Sequence, residues 1–394
     1  MTVRDSRWPF FESDEISAVA DVLRSGNVNY WTGSLCREFE EKFSRKFTLG
    51  YSLSCANGTV GLELALRGLG LPSGAKILVT PRSFVASASV VFNLGMIPVF
   101  ADLCPLSGNI SAETIDEALR IHEDIAAIIC VHLGGLPCEM PNIMELAHTE
   151  GIKVIEDCSQ AHGAMVNEKY VGSFGHAAVW SFCQDKIMST GGEGGIVAFQ
   201  KQQDWEAAWS YRDHGKSVRE LASETGGSGA DYKWVHHARG SNFRMTEMQA
   251  AIGLCQLVKL DGWISRRNEL SQTITKFSES VEDLRLPRLS DPAYINAFYR
   301  LYLLREEWLI QPESRWAFIR ALRAAGFRSG LGSCCELYRE KVFKTYCSEE
   351  FFLPVASHFQ QTSCAIWISH RTTEEELHSL LSCLRTQLDH SERG

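Results

Sequence analysis

Short apolar runs of strand length alternate with helix-like stretches between residues 55 and 200, and this alternation is the strongest constraint on the fold. The strand candidates are Lys76–Thr80, Ile97–Ala101, Ile125–Val131, Ile152–Glu156, Ala177–Phe182 and Gly195–Phe199, and the helix candidates are Val60–Leu69, Ser83–Leu94, Ser111–His122 and Asn142–Glu150. Continuous apolar runs rich in β-branched residues are typical of strands that are covered on both faces. The alternation therefore predicts an α/β domain built on a mainly parallel sheet.

The pattern changes near residue 265. A strand-like stretch at 297–304 lies between two helical stretches, and Thr372–Gln387 has the pattern of a closing amphipathic helix. We therefore expect a large domain over residues 12–264 and a smaller α+β domain over residues 265–394.

The composition of the 394-residue chain is that of an ordinary globular protein, with 45% apolar and 22% charged residues. Its formal net charge of −9 makes the chain as a whole a poor binder of nucleic acid or anionic membranes. No apolar run approaches the roughly 18 residues that a membrane span needs, and the first residues lack the apolar core of a signal peptide. We expect a cytoplasmic protein that holds any anionic ligand in a local site.

The cysteine and histidine spacings do not predict a metal site. There are 13 cysteines, an odd number, with no CxxC motif, and Cys334 and Cys335 are adjacent. The 12 histidines form neither an HExxH motif nor a cysteine–histidine cluster with zinc spacing. We expect reduced, mostly buried thiols and no metal.

Polar residues follow the strand candidates at the positions where a parallel sheet binds ligands, beyond the carboxyl ends of its strands. Asp157 follows one strand, and Ser181 lies at the end of another, five residues before Lys186. Asn57 and Gly58, with Thr59, precede a helix, where free N–H groups favour an anion. Taken singly, these features also fit a plain helix cap, a structural carboxylate and a surface lysine.

Taken together, an anion cradle, a buried acid and a lysine match the needs of pyridoxal 5′-phosphate. This cofactor carries a phosphate, an aldehyde that a lysine captures, and a ring nitrogen that a carboxylate keeps protonated. The glycines after Lys186, in Ser189–Gly195, would also allow the backbone to pack close to a flat ligand.

Five segments of the chain, in order and spacing, resemble the DegT/DnrJ/EryC1/StrS family of pyridoxal-phosphate sugar aminotransferases. They are ANGTVGLELAL (56–66), PRSFVASA (81–88), VIEDCSQAHGA (154–164), GSFGHAAVWSFCQDKIMSTGGEGG (172–195) and GSNFRMTEMQAAIGLCQL (240–257). The resemblance implies the three-layer large domain of the aspartate-aminotransferase-like fold, followed by a smaller α+β domain.

The resemblance also assigns roles to single residues. Lys186 would hold the cofactor as a Schiff base, and Asp157 would pair with its ring nitrogen. Asn242 would reach the phosphate of the neighbouring subunit, which implies a homodimer with composite sites. The remaining cofactor-binding residues would be Asn57, Gly58, Thr59 and Ser181 around the phosphate, Gln160 at the ring hydroxyl and Phe84 stacked on the ring.

The family more often has histidine or a hydroxyl-bearing residue two or three places before the lysine, where this chain has Gln184 and Cys183. That departure bears on the fit of the substrate. The activity implied is transfer of an amino group from L-glutamate to a keto sugar, a nucleotide-linked 3- or 4-keto hexose, for amino-sugar biosynthesis.

The sequence bears on three alternative functions. A pyridoxamine-dependent dehydratase of the same family would carry histidine in place of Lys186, so the lysine argues against it. A catalytically silent, cofactor-binding regulator would be expected to have lost Lys186 or Asp157. A transaminase acting on a ring without a nucleotide, such as a keto-cyclitol, stays open.

Residues 211–244 interrupt the strand–helix pattern with glycines and polar residues, as long functional loops often do. With neutral histidines the segment has six cations and four acids, although the whole chain is acidic. We expect it to contribute to a sugar-nucleotide site through Lys216, Arg219 and Arg239. The alternative is a solvated surface loop.

Overall fold

The computed structural model describes residues 8–222 and 235–391. The described strands are β1 (Tyr51–Cys55), β2 (Lys76–Val79), β3 (Ile97–Phe100), β4 (Ile125–Val131), β5 (Lys153–Asp157), β6 (Met165–Val166), β7 (Lys169–Tyr170), β8 (Ala177–Ser181), β9 (Gly195–Phe199), β10 (Leu284–Arg285), β11 (Tyr294–Ile295), β12 (Leu301–Arg305), β13 (Ser329–Gly330) and β14 (Ser363–Ile366). The helices are α1 (Ser13–Ser25), α2 (Leu35–Phe47), α3 (Gly58–Gly68), α4 (Ala86–Asn93), α5 (Ala112–Ile121), α6 (Met140–Glu150), α7 (Gln202–Arg212), α8 (Val218–Ala222), α9 (Glu247–Glu279), α10 (Glu307–Ile310), α11 (Pro312–Ala324), α12 (Pro354–Thr362) and α13 (Glu374–Ser391).

A seven-stranded sheet in the order β1-β9-β8-β5-β4-β2-β3 forms the centre of the molecule. The strands β8, β5, β4, β2 and β3 are parallel, and β9 is antiparallel to both of its neighbours. All six strand candidates from the sequence appear within one residue of the expected bounds, so the prediction of a mainly parallel α/β sheet is confirmed.

Helices cover the central sheet on both faces. Side chains that are adjacent on β8 enter different cores, since Val179 belongs to one buried cluster and Trp180 to another. This alternation is the period of two that a strand imposes. The second cluster includes Phe39 and Phe43 of α2, and the Phe43 and Trp180 rings lie 5.1 Å apart.

The C-terminal part of the chain builds a second sheet, in the order β10-β12-β14-β13, whose pairs are all antiparallel. A third buried cluster joins this sheet to α11 and α13. The proposed domain boundary at residues 264 and 265 falls inside the continuous helix α9. Ile264 packs in the second cluster and Leu270 in the third, so one helix contributes to two cores.

The thirteen cysteines are all free thiols, seven of them buried and six half-buried. Burial raises the pKa of several of these thiols, including that of Cys55 to about 12. Such cysteines behave as small apolar side chains. Within the described parts of the chain, no helix is both long and apolar enough to cross a membrane.

Candidate active site

A cavity of about 830 Å³ opens where three neighbouring strands end. Val131, Asp157 and Ser181 are the last residues of β4, β5 and β8, and all three line it. The first turn of α3 closes one side, and residues from the C-terminal part of the chain, including Tyr299 and Ser333, close the other. The cavity therefore lies at the carboxyl ends of the strands, as expected from the parallel sheet.

Eight of the nine cofactor-binding residues expected from the sequence line this single cavity. They are Asn57, Gly58, Thr59, Phe84, Asp157, Gln160, Ser181 and Lys186. The ninth, Asn242, is exposed and does not line the cavity formed by the described residues of its own chain. The structure thus brings together residues that are up to 129 positions apart in the sequence.

The start of α3 forms a site suited to a phosphate. The Asn57 side chain caps the helix by accepting a 3.0 Å hydrogen bond from the Val60 N–H. The N–H groups of Gly58 and Thr59 belong to the first turn of α3. The N–H groups of a first turn have no hydrogen-bond acceptor within the helix, so they are available to bind an anion. A Cβ on Gly58 would lie 2.7 Å from Cβ of Ser181, so only glycine allows this close approach of helix and hydroxyl.

Asp157 presents a fixed carboxylate to the cavity. Its Oδ2 accepts a 3.0 Å hydrogen bond from the Ser87 hydroxyl, and its Oδ1 accepts a 3.1 Å bond from the Ser159 N–H. The Ser87 and Ser83 hydroxyls lie 2.8 Å apart, which extends the network along the cavity wall. Two donors hold the carboxylate in one orientation while its side chain stays buried.

The neighbouring acid, Glu156, has a structural role. Its side chain is fully buried and accepts hydrogen bonds from the N–H groups of Gly172, Phe174 and Gly175 at 2.7, 2.9 and 2.6 Å, and it lies 3.1 Å from the His132 ring. Consecutive side chains of a strand point to opposite faces. Of the two acids at the end of β5, only Asp157 therefore lines the cavity.

Lys186 is half-buried on the cavity wall. Burial lowers the pKa of its ammonium group, and the carboxylates of Asp185 and Asp157 offset only part of this effect. Its Nζ lies 4.9 Å from the centre of the Tyr299 ring. A lysine with a lowered pKa is uncharged at a lower pH than an ordinary lysine, which is what an amine nucleophile requires.

Four further residues of the site escaped the sequence analysis: Ser87, Asp185, Tyr299 and Arg300. The first two had a signal, since Ser87 is one helical turn after Ser83 and Asp185 directly precedes the lysine. Tyr299 and Arg300 lie directly before β12, more than 110 residues after Lys186. Only the packing of the C-terminal part against the large sheet brings them to the cavity, so no local pattern could reveal them.

The three expected substrate residues do not line this cavity within the described parts of the chain. Lys216 Nζ lies 3.0 Å from Oδ1 of Asp213, and Arg219 pairs with Glu206 at 2.8 Å on the surface. Arg239 is exposed. The central part of their segment, residues 223–234, lies outside the described residues, so their role in substrate binding stays a prediction.

The fold and this arrangement of lysine, carboxylate and anion cradle define the class of the enzyme, an aminotransferase. The chain belongs to the DegT/DnrJ/EryC1/StrS aminotransferase family, whose model matches residues 9–385. Aminotransferases of this family depend on pyridoxal phosphate.

Known proteins of the family resemble the chain over different lengths. An aminotransferase from Psychrobacter cryohalolentis, known from its X-ray structure, is 40% identical, with 98% of this chain and 99% of that chain covered and a TM-score of 0.91. A GDP-perosamine synthase of Escherichia coli O157:H7 is 34% identical over 244 residues, which are 62% of this chain and 63% of that protein. A UDP-N-acetyl-3-dehydro-alpha-D-glucosamine 3-aminotransferase of Acidithiobacillus ferrooxidans is 29% identical over 95% of this chain and 94% of that protein.

Proposed function

We propose that this chain is a pyridoxal-phosphate-dependent aminotransferase that transfers an amino group from L-glutamate to a nucleotide-linked 3- or 4-keto hexose, for amino-sugar biosynthesis. The observation that carries the proposal is the meeting of Lys186, Asp157 and the first turn of α3 in one cavity at the carboxyl ends of the strands. The names of the two curated relatives support the substrate class, since one is a GDP-sugar enzyme and the other a UDP-sugar enzyme.

The residues of the cavity fit the cofactor in charge and in shape. Gly58, Thr59 and Ser181 would hold its phosphate, because the helix start offers N–H groups and Ser181 a hydroxyl. Asp157 would hold the ring nitrogen, Gln160 the ring hydroxyl, and the exposed face of Phe84 would cover the ring. The bound cofactor supplies an electron sink that makes a C–H bond beside nitrogen acidic.

The chain's own residues would move the proton that this chemistry releases. In the donor half-reaction, Nζ of Lys186 would take the proton from the amino-bearing carbon of the donor and pass it to the bound cofactor. In the acceptor half-reaction, it would move a proton in the reverse sense, to the former carbonyl carbon of the keto sugar. Burial lowers the pKa of Lys186, which increases the share of its amine that is uncharged and able to act as a base. The carboxylate of Asp157, held by Ser87 and by the Ser159 N–H, stabilises positive charge at the cofactor ring without needing to reorganise.

We also propose that the active form is a homodimer. Asn242 is exposed, and its backbone forms an isolated bridge to Asp213, outside the cavity of its own chain. The family resemblance gives this residue a phosphate contact in the neighbouring subunit. A second copy of the chain would therefore complete each site.

Transfer to a keto sugar is the direct test. The protein is loaded with pyridoxal phosphate, converted with L-glutamate to the amine form, freed of glutamate, and mixed with UDP-, GDP- or dTDP-linked 3- and 4-keto hexoses or with a keto-cyclitol. The proposal expects one of the sugar nucleotides to remove the pyridoxamine absorbance and yield an amino sugar. Conversion of the cyclitol alone would establish the alternative substrate, and failure of L-glutamate to convert the cofactor would contradict the proposed donor.

A further inference from the structure

The cavity is poor in positive charge for an enzyme of anionic substrates. Its lining in the described residues includes four carboxylates, those of Asp157, Asp185, Glu193 and Glu340. The only lining cations among these residues are Lys186 and Arg300. Because Lys186 carries the chemistry, Arg300 is the one described side chain of the cavity wall that could bind a substrate anion through a permanent charge.

The guanidinium of Arg300 is held firmly but keeps free donors. Its Nη2 donates to Oδ2 of Asp185 at 2.9 Å and to the Tyr299 hydroxyl at 2.8 Å. Its Nε is buried and has no hydrogen-bond partner among the described residues. The guanidinium lies 4.3 Å from the ring centre of Trp367, which fixes its plane. An arginine has five N–H donors, so donors remain after Asp185 and Tyr299 are satisfied.

Asp185 is charged in this arrangement and works as a positioning group. Burial alone would raise the pKa of Asp185. The nearby Lys186, Tyr299 and Arg300 outweigh this effect and hold that pKa below its usual value. The carboxylate of Asp185 therefore orients the Arg300 guanidinium. Asp185 also directly precedes Lys186 in the sequence. The ion pair ties Arg300, which directly precedes β12, to the segment that carries the reacting amine.

Arg300 lies at the reacting end of the cavity. The Tyr299 ring centre is 4.9 Å from Nζ of Lys186 and 4.7 Å from Cζ of Arg300. Arg300 and Lys186 thus border the same aromatic ring, and an anion bound by Arg300 would lie on the Lys186 side of the cavity, where the carbon that loses its proton to Lys186 is placed. The α-carboxylate of an amino acid is attached directly to that carbon, whereas the diphosphate of a sugar nucleotide is separated from a keto group at C3 or C4 by the sugar ring.

We propose that Arg300, oriented by Asp185, binds the α-carboxylate of the amino donor. This inference rests on the proposed function and names the group of the donor that the cavity recognises. A planar guanidinium can meet a carboxylate with two parallel N–H···O bonds, which fixes the orientation of the donor. The keto sugar has no carboxylate beside its reacting carbon, so Arg300 would act in the donor half of the reaction.

The test compares Arg300→Gln and Arg300→Lys with the matched control Arg328→Gln. Arg328 also contacts Trp367, with its guanidinium 5.0 Å from the ring centre, but does not line the cavity. The probe is 2-oxoglutarate, the keto acid of glutamate, titrated by calorimetry into protein loaded with pyridoxal phosphate. The same variants are then mixed with L-glutamate, and the loss of the visible absorbance of the lysine-bound cofactor gives the rate of the donor half-reaction.

Arg300→Gln is expected to raise the Kd of 2-oxoglutarate about 10- to 100-fold, the effect of losing charge-assisted hydrogen bonds. Arg300→Lys should recover part of the affinity, and Arg328→Gln should leave it within about twofold. If Arg300→Gln bound 2-oxoglutarate as tightly as the wild type, or if Arg328→Gln weakened its binding equally, the inference about Arg300 would be overturned and the proposed function would stand. Wild-type protein that neither binds 2-oxoglutarate nor reacts with L-glutamate would overturn the proposed donor as well.

Discussion

The indole N–H of Trp8 donates a 2.6 Å hydrogen bond to the backbone carbonyl of Lys186, 178 positions later in the chain. The Trp8 ring lies edge-on against Trp263 and His370, at 5.3 and 5.0 Å between ring centres. The Lys186 N–H donates to the carbonyl of Cys183. Both main-chain polar groups of Lys186 are therefore held, one of them by a residue of the N-terminal segment.

Replacing Trp8 with phenylalanine would retain an aromatic ring and remove the donor. The loss of one hydrogen bond corresponds to about 1 kcal/mol, so we expect kcat to fall about fivefold to tenfold with little change in KM for glutamate. The visible absorbance of the lysine-bound cofactor should titrate at a shifted pH. Trp316→Phe, at a half-exposed position of α11, serves as the control. Wild-type kinetics together with a wild-type spectral titration in Trp8→Phe would show that the bond does not position Lys186.

The sequence predicted the central sheet well because its strands are continuous apolar runs. The one strand of that sheet it missed, β1 with the sequence YSLSC, carries buried serines. Ser54 donates to Oε1 of Glu40 through its N–H at 2.8 Å and its hydroxyl at 2.6 Å. Polar side chains that are satisfied inside the protein look like exposed ones in a sequence, so the pattern concealed a buried strand.

The lining of the cavity was predictable where its residues follow the strands of one domain, as Asp157, Ser181 and Lys186 do. Tyr299 and Arg300 were not, because their place depends on how the C-terminal sheet packs against the large domain. The Ser83 N–H bonds the Cys334 carbonyl at 3.1 Å, one of the contacts that fix this packing. Tertiary contacts of this kind leave no periodic signal in either partner segment.

Asp157 and its serine should affect the same step to different extents. Asp157→Asn should slow proton abstraction from glutamate by orders of magnitude, since the charge that supports the electron sink is lost. Ser87→Ala removes the hydrogen-bond donor to Oδ2 of Asp157 and should slow proton abstraction from glutamate about fivefold to tenfold. Ser89→Ala, on the same helix and outside the cavity lining, is the control. Single-turnover absorbance measurements give the rates, and near-normal turnover in Asp157→Asn would show that this acid is structural.

The segment 211–244 should act on the sugar half-reaction. We expect Lys216→Ala, Arg219→Ala and Arg239→Ala to weaken binding of the keto-sugar nucleotide and to leave the glutamate half-reaction nearly intact. Lys201→Ala, an exposed cation outside the segment, is the control. Single-turnover kinetics of each half-reaction separate the two effects. If both halves were slowed equally, or neither was affected, the segment would not be a substrate-selective element.

Composite sites can be tested by complementation between two inactive variants. We expect Lys186→Ala and Asn242→Ala to have little activity alone, and a mixture that has exchanged subunits to recover about a quarter of the wild-type activity, since half of the dimers carry one intact site. The measurement is turnover after mixing, dilution and reassembly, with sedimentation as a check of the dimer. An active monomer, or an absence of recovery after verified subunit exchange, is incompatible with the composite site.

The central claim is that Lys186 holds the cofactor, and chemical trapping tests it most directly. Protein loaded with pyridoxal phosphate is reduced with sodium borohydride, digested, and mapped by mass spectrometry, with Lys186→Ala treated in parallel. We predict that the reduced cofactor is found on the peptide containing Lys186 and that the variant lacks both the label and the visible absorbance. Recovery of the label on Lys201 or on another lysine, with Lys186 unmodified, would contradict the account.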